Sequence, residues 1–205
     1  MHNRLIALFL LIASLGGCKD VLSPEARYQP EKAGTVDRAL CLLGFAAVPM
    51  RSLMTGHQLV DARINGMPAT LVVDTGANVT VLHAGAESRF RATRDPLAIG
   101  STSGLGGPMQ GRVMRIDTLA LGGVETRQRR VIESDLSALT AVLGRVAGRD
   151  IDGIVGQDVL QKQSAVIDVA GGILYLMAAG TDPAPIDPAR CAAKPKPDPA
   201  KPDRN

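Results

Sequence analysis

Apolar and polar positions alternate along the middle of the chain in the way that short β-strands require. Every second position is apolar in residues 60–64, and Asn65-Gly66 follows with the strongest short turn signal for a hairpin. Residues 69–73 then return as a largely apolar segment. The pattern therefore predicts a β-hairpin.

Further strands are predicted downstream, and helical spacing is rare. Strands are expected at residues 79–83, 112–121, 124–132, 165–169 and 173–177. The strand at 124–132 follows a turn at Gly122-Gly123 and is more polar, so we place it at a sheet edge. We predict a mainly β, single-domain fold with a closed or strongly curved sheet.

Two short helices are expected within this β region. Ser134 is a candidate cap for a helix that buries Leu136, Leu139 and either Val142 or Leu143. A second short helix is expected at residues 157–163, after a glycine.

The N-terminus carries an export signal. Arg4 precedes an apolar run, Leu5 to Leu15, which is far shorter than the roughly 20 residues that a membrane-spanning helix needs. The run leads into Gly16-Gly17-Cys18, which resembles the cleavage site of bacterial lipoproteins. That resemblance implies a signal peptide over 1–17, a lipid on Cys18 and a membrane-anchored protein in the bacterial cell envelope, facing the periplasm. The alternative is an ordinary secretory peptide in which this cysteine is incidental; Lys19 favours the outer membrane.

The remaining segments suggest one domain between two extensions. Residues 18–35 are polar and rich in proline, and we expect a tether there. Residues 36–56 are expected to form a packing helix, capped by Thr35 or Asp37, and a linker. The main domain is placed at 57–178, and a proline-rich, disordered tail at 179–205.

Two cysteines remain if Cys18 is lipidated. Cys41 and Cys191 would then meet an oxidising compartment, in which an even pair commonly forms a bridge. We predict a disulfide between them; the alternative is two buried or unpaired thiols.

Composition and charge exclude several classes of function. The chain has 205 residues, of which 45% are hydrophobic and 21% are charged, so it is expected to fold. Tryptophan is absent and aromatic residues are 2%, which argues against a nucleic-acid reader. His57 and His83 are isolated and the chain has no Cys-x-x-Cys, so we predict neither a metal nor a cofactor.

The most informative segment is an apolar strand that runs into Asp74-Thr75-Gly76-Ala77. A strand end presents the acid at a fixed position, the glycine allows close approach of another backbone, and the threonine hydroxyl is able to fix the loop. The alternative is an ordinary turn that contains an aspartate.

The second half of the chain supplies a context for this acid. Asp152-Gly153-Ile154-Val155-Gly156 precedes the second predicted helix. With this segment, the Asp-Thr-Gly loop and the Asn65-Gly66 turn, residues 57–178 resemble the retropepsin-like aspartic proteases, in particular their bacterial membrane-associated members. The resemblance implies that Ile154, Val155 and Gly156 pack behind the active-site loop, and that a flap lies at Gly104, Leu105, Gly106 and Gly107.

The resemblance also implies a homodimer in which two copies of Asp74 share one proton. Peptide hydrolysis without a covalent intermediate needs one carboxylate to activate water and one carboxylic acid to protonate the scissile carbonyl. One chain carries only one Asp-Thr-Gly. Asp152, Asp158 and Asp168 are conceivable intrachain partners, but the family gives the last two no catalytic role, and we interpret those two as turn or helix-cap acids.

These observations suggest an aspartic endopeptidase that acts on polypeptide substrates. The alternative is a catalytically inactive module of the same fold, which binds peptides or assembles envelope proteins. Because Ala77 lacks the hydroxyl that some family members have at this position, we expect activity less shifted to acid than in pepsin-like relatives.

Overall fold

A computed structural model describes residues 28–95, 101–104, 107–178 and 187–192 of the chain. The helices are α1 Val36–Leu42, α2 Ala86–Phe90, α3 Ser137–Ala147, α4 Gln157–Leu160 and a 3-10 helix, Pro188–Cys191. The strands are β1 Phe45–Ser52, β2 Gln58–Ile64, β3 Met67–Val73, β4 Val81–His83, β5 Thr93–Arg94, β6 Ser101–Gly104, β7 Gly107–Gln110, β8 Arg112–Arg115, β9 Leu119–Leu121, β10 Val124–Glu125, β11 Arg130–Ser134, β12 Gly153–Val155, β13 Val166–Asp168 and β14 Ile173–Met177. Cys18 lies outside the described residues, together with the predicted signal peptide and most of the tether.

The fold is mainly β, as predicted, and one large sheet dominates it. The strand order is β13-β14-β1-β2-β3-β12-β4-β11-β8-β5, with β9 paired to both β2 and β10. In the described residues β13 and β5 each pair on one side only, so the sheet is not closed into a barrel. The class was predicted correctly, whereas the expected closure does not occur.

The predicted hairpin is present as β2 and β3. Its turn residues Asn65 and Gly66 both have positive φ, +49° and +78°, which the tight turn between two twisted strands requires. The Asn65 side chain also accepts hydrogen bonds from the backbone N–H groups of Asp117 and Thr118. The turn therefore holds a neighbouring loop as well as its own two strands.

The expected packing helix at 36–56 is only partly correct. Thr35 caps α1 by accepting a hydrogen bond from the N–H of Arg38, but the helix ends at Leu42. Gly44 has φ of +84°, and the chain then enters β1, which pairs with β14 and β2. The sheet thus begins at Phe45, twelve residues before the expected start of the domain at residue 57.

The expected edge strand at 124–132 is only partly correct. Two short strands, β10 and β11, occupy this stretch: β10 pairs with β9 alone, at an edge, whereas β11 lies inside the sheet between β4 and β8. Its polar residues are tolerated because they find partners: the buried Glu133 carboxylate accepts hydrogen bonds from the Arg112 side chain and from the Gly85 N–H. Burial alone would raise the pKa of Glu133, but the Arg112 hydrogen bond and charge together lower it.

Helix α3 packs on the sheet over a cluster of buried hydrophobic side chains. Leu136 and Leu143 are buried there against Val72, Val81 and Ile154, among others. The helix begins at Ser137, so Ser134 does not cap it; instead, the Asp135 carboxylate accepts hydrogen bonds from the N–H and hydroxyl of Ser137. Of the two alternatives for its buried face, Leu143 is buried and Val142 is exposed.

Cys41 and Cys191 are joined by a disulfide, as the sequence analysis expected. The bridge connects α1 to the 3-10 helix, and Arg38 adds a hydrogen bond to the carbonyl oxygen of Cys191. Residues 188–191, which fall within the expected tail, form the 3-10 helix, and the bridge and this contact attach it to α1. No helix in the part of the chain that the structure describes is long and apolar enough to cross a membrane.

Candidate active site

The Asp74 loop lies at the end of β3, directly beside the second segment that the sequence singled out. Strand β12 pairs with β3 in parallel, with Ile154 opposite Val72 and Val155 opposite Val73. The backbone N–H of Asp74 donates a hydrogen bond to the carbonyl oxygen of Val155, 3.1 Å away. Two segments whose paired residues are 82 positions apart in the sequence thus meet at the acid.

The glycines of β12 and its C-terminal end allow this close approach. A Cβ atom on Gly156 would lie 2.5 Å from the carbonyl oxygen of Val79 and 2.8 Å from that of Ala77. A Cβ on Gly153 would lie 2.2 Å from the carbonyl oxygen of Val81. Because these neighbours are backbone atoms, a side chain at either glycine would displace the loop or β4.

Hydrogen bonds within the loop orient the Asp74 carboxylate. Its Oδ1 atom accepts a hydrogen bond of 2.8 Å from the N–H of Gly76. The N–H of Ala77 donates to the carbonyl oxygen of Asp74, 3.3 Å away. The acid is half-buried and Thr75 is exposed.

Helix α4 supports the loop from behind. The N–H of Gln157 donates to the carbonyl oxygen of Ala77 (2.8 Å), and its side-chain Nε2 donates to that of Thr75 (2.9 Å). The Ile154-Val155-Gly156 segment is recognisable from the sequence, whereas this glutamine carries no motif signal. A glutamine at the start of a short helix becomes significant only when the loop is seen beside it.

Asp158 belongs to a partly buried polar network next to the loop. Its carboxylate accepts hydrogen bonds from the Thr80 hydroxyl (2.7 Å) and from the Gln128 amide (2.7 Å). The Thr80 hydroxyl oxygen in turn accepts a hydrogen bond from the N–H of Gly156. The role of this acid is broader than the helix cap expected from sequence, because it connects α4, the β3–β4 connection and the loop before β11.

Asp152 and Asp168, the other two acids considered from the sequence, do not provide a second carboxylate beside Asp74. Asp168 is a turn acid, which accepts a hydrogen bond from the N–H of Gly171. Asp152 is buried, with its carboxylate bound by the Thr70 N–H and by Arg89. Burial raises the pKa of Asp152, and the contacts with Thr70 and Arg89 only partly oppose this.

An open cavity of about 340 Å³ lies beside Asp74. Its walls include Asp74 and Thr75, His57 from the β1–β2 turn, Leu139 from α3, and Ile154. Among the described residues that line it, Asp74 is the one carboxylate. Asp152 lines a separate cavity of about 460 Å³. His57 is isolated in the sequence, and nothing there indicates that it lines the first cavity.

The expected flap falls on a hairpin. Strands β6 and β7 pair with Gly104 opposite Gly107, and they form a two-stranded sheet separate from the main sheet. Leu105 and Gly106, at the expected tip, lie outside the described residues.

One family comparison matches the part of the chain that carries this site. A family model described as aspartyl protease matches residues 60–159, a little under half of the chain, which includes both the Asp74 loop and β12. A search of curated proteins finds no match. Over this segment the chain is thus similar to the aspartyl protease family.

Two solved structures are similar to the chain at low sequence identity. EIAV protease in complex with the inhibitor HBY-793 is 20% identical, and the match covers 56% of this chain and 95% of that one, with a TM-score of 0.40. A retropepsin-like aspartic protease from Rickettsia conorii is 16% identical, and the match covers 65% of this chain and 89% of that one, with a TM-score of 0.41.

Proposed function

We propose that this protein is an aspartic endopeptidase whose catalytic dyad consists of Asp74 from two chains. The observation that carries the proposal is the Asp74 carboxylate, which the Gly76 N–H orients and which lines an open cavity. In such a dyad one carboxylate takes a proton from water while the other, protonated, donates to the scissile carbonyl oxygen. Two carboxyl groups that lie close together share one proton, because the repulsion between two negative charges opposes the ionisation of the second group.

The composition of the cavity supports the need for a second chain. Among the described residues, Asp74 is the one acid that lines it, so a single chain offers no second carboxylate there. Thr75 is exposed beside the acid, where a second copy would meet it. The substrate of this proposal is an extended polypeptide, with the β6–β7 hairpin as its flap.

The decisive experiment compares the full-length protein with its Asp74→Asn variant on an unfolded protein substrate, with sedimentation in parallel. We expect cleavage by the wild type in the concentration range where it dimerises, and none by the variant. Equal cleavage by both proteins would discard Asp74 as the catalyst. No cleavage by a confirmed wild-type dimer would favour the alternative, a peptide-binding or assembly module of the same fold.

We further propose that the mature protein is a lipoprotein, attached through Cys18 to the envelope and facing the periplasm, with the outer membrane favoured. The motif before Cys18 and the disulfide between Cys41 and Cys191 support this, because structural disulfides are typical of oxidising compartments. Labelled fatty acid is expected in the wild type and absent from Cys18→Ser. Equal labelling of both proteins would contradict the proposal.

A further inference from the structure

The peptide group between Thr75 and Gly76 is hydrogen-bonded at both ends. Its carbonyl oxygen accepts from Nε2 of Gln157, and its N–H donates to Oδ1 of Asp74, at 2.9 and 2.8 Å. Because a trans peptide group is planar, fixing the direction of its carbonyl also fixes the direction of its N–H. The Gln157 side chain is thus connected to the Asp74 carboxylate through one rigid unit.

This connection also has an electrostatic consequence. A hydrogen bond to the carbonyl oxygen of an amide polarises the group and strengthens the donation from its N–H. A stronger donor stabilises the ionised form of the acid that accepts from it. The amide of Gln157 therefore acts on the Asp74 carboxylate through this donor and holds it in one orientation.

Gln157 itself is held in place for this contact. Its backbone N–H donates to the carbonyl oxygen of Ala77, and its carbonyl oxygen accepts from the N–H of Gln161, so both sides of its backbone are fixed. Since the partner of its side chain is a carbonyl oxygen, only the nitrogen end of the amide fits.

We propose that Gln157 is a positioning residue for Asp74, acting through the Thr75–Gly76 peptide group. This inference rests on the proposed catalytic role of Asp74. It assigns Gln157 no contact with substrate.

Two ionisable side chains from neighbouring elements lie next to the Asp74 loop. His57 lines the same cavity as Asp74 from the β1–β2 turn, and Asp158 of α4 is engaged by Thr80 and Gln128. Leu139 of α3 and Ile154 of β12 line the cavity without charge. All of these residues stay unchanged in the variants below, so a change in titration is attributable to position 157.

The test uses three variants of the full-length protein. Gln157→Met keeps the length of the side chain and its neutrality but removes the donor, and Gln157→Lys keeps a donor. Gln161→Met is the matched control, because Gln161 is exposed in the turn after α4. Each protein is assayed for kcat and KM across pH. The carboxyl carbon of Asp74 is followed by NMR and assigned with Asp74→Asn.

We expect Gln157→Met to lower kcat about three- to tenfold with little change in KM, as the loss of one hydrogen bond to a reacting group would. The acidic limb of its pH profile and the NMR titration of Asp74 should both move to higher pH, because the ionised carboxylate is less stabilised. Gln157→Lys should restore kcat at least partly, and Gln161→Met should match the wild type.

Unchanged kcat and unchanged Asp74 titration in Gln157→Met would overturn the inference. So would an equal loss in Gln157→Met and Gln157→Lys, because that pattern indicates packing rather than donation. The titration separates this inference from the proposed function: a wild type that cleaves nothing removes the endopeptidase proposal, while a shifted Asp74 titration in Gln157→Met still supports the positioning role.

Discussion

At the scale of single residues, the backbone around Asp74 is packed so closely that Gly156 has no room for a side chain. Its surroundings are the carbonyl oxygens of Val79 and Ala77, which are fixed by the loop and cannot turn aside as a side chain would. The same residue donates its N–H to the Thr80 hydroxyl. A change here would affect both the shape of the loop and its hydrogen bonds.

We expect Gly156→Ala to lower the free energy of unfolding by about 1–3 kcal/mol, because the new Cβ would overlap backbone atoms. Urea denaturation measures this. Gly144→Ala in α3 is the control, since its Cβ would lie 3.2 Å from one carbonyl oxygen and alanine favours the helix. Equal stability of Gly156→Ala and the wild type would contradict this prediction and show that the loop shifts to accommodate the added methyl group.

The buried carboxylate of Glu133 makes stability depend on pH. Its pKa in the folded protein is lowered, against the effect of burial, by Arg112, so the unfolded chain binds the proton more readily. Its contribution is therefore present at neutral pH and is lost as the pH falls through the folded pKa, below about 4.5.

We expect Glu133→Gln to unfold with a weaker pH dependence than the wild type between about pH 5 and 3, and to lose about 1 kcal/mol at neutral pH. Thermal denaturation across this range is the measurement. Glu125→Gln is the control, because Glu125 forms an exposed pair with Arg129 and should keep the wild-type dependence. Identical profiles for both variants would contradict the assignment to Glu133.

At the scale of elements, the sequence located helix α3 only approximately, and the structure shows how this helix packs on the sheet. Its apolar spacing predicted a helix and most of its buried face, but Val142 and Leu143 were left as alternatives. The structure buries Leu143 in the cluster with Val72 and Ile154, whereas Val142 is 51% exposed. The spacing of apolar residues does not decide which of two adjacent positions is buried, because the orientation of a helix depends on the surface against which it packs.

We expect Leu143→Ala to destabilise the fold by about 2–4 kcal/mol through the lost burial and the cavity left behind. The matched control is Val142→Ala, with an expected change within about 0.5 kcal/mol, since its side chain is largely in water. Urea denaturation distinguishes them. Similar losses of stability in both variants would mean that α3 is oriented differently, with both side chains buried.

The two strands that sequence reasoning misplaced show why pairing is difficult to read from composition. Strand β1 was hidden in a segment interpreted as helix and linker, because most of its residues pair with β14, more than 120 residues away, and only its end pairs with β2. Strand β11 looked like an edge because it is polar. Its buried Glu133 is tolerated inside the sheet only because Arg112 and Gly85 supply hydrogen bonds from other elements.

At the scale of the whole molecule, the disulfide joins the two ends of the described fold. It closes a loop of 150 residues between α1 and the 3-10 helix. In the unfolded chain such a link removes many conformations, so the folded state gains stability.

We expect reduction, or the double change Cys41→Ser and Cys191→Ser, to lower the free energy of unfolding by about 3–5 kcal/mol. The measurement is thermal unfolding with and without a reductant. The Cys18→Ser variant should respond to the reductant as the wild type does, because Cys18 is not part of the bridge. Insensitivity of the wild type to reductant would show that the bridge does not stabilise the fold.

The sequence alone determined the local features of this protein. The Asn65-Gly66 turn, the Asp-Thr-Gly loop at a strand end and the Ile154-Val155-Gly156 segment are each set by the conformational preferences of a few neighbouring residues. Only the tertiary structure decided what lies beside them: that β12 runs parallel to β3, that Gln157 reaches the Thr75 carbonyl, and that His57 and Leu139 share a cavity with Asp74. These contacts join segments far apart in the chain, and their geometry depends on how the whole sheet packs.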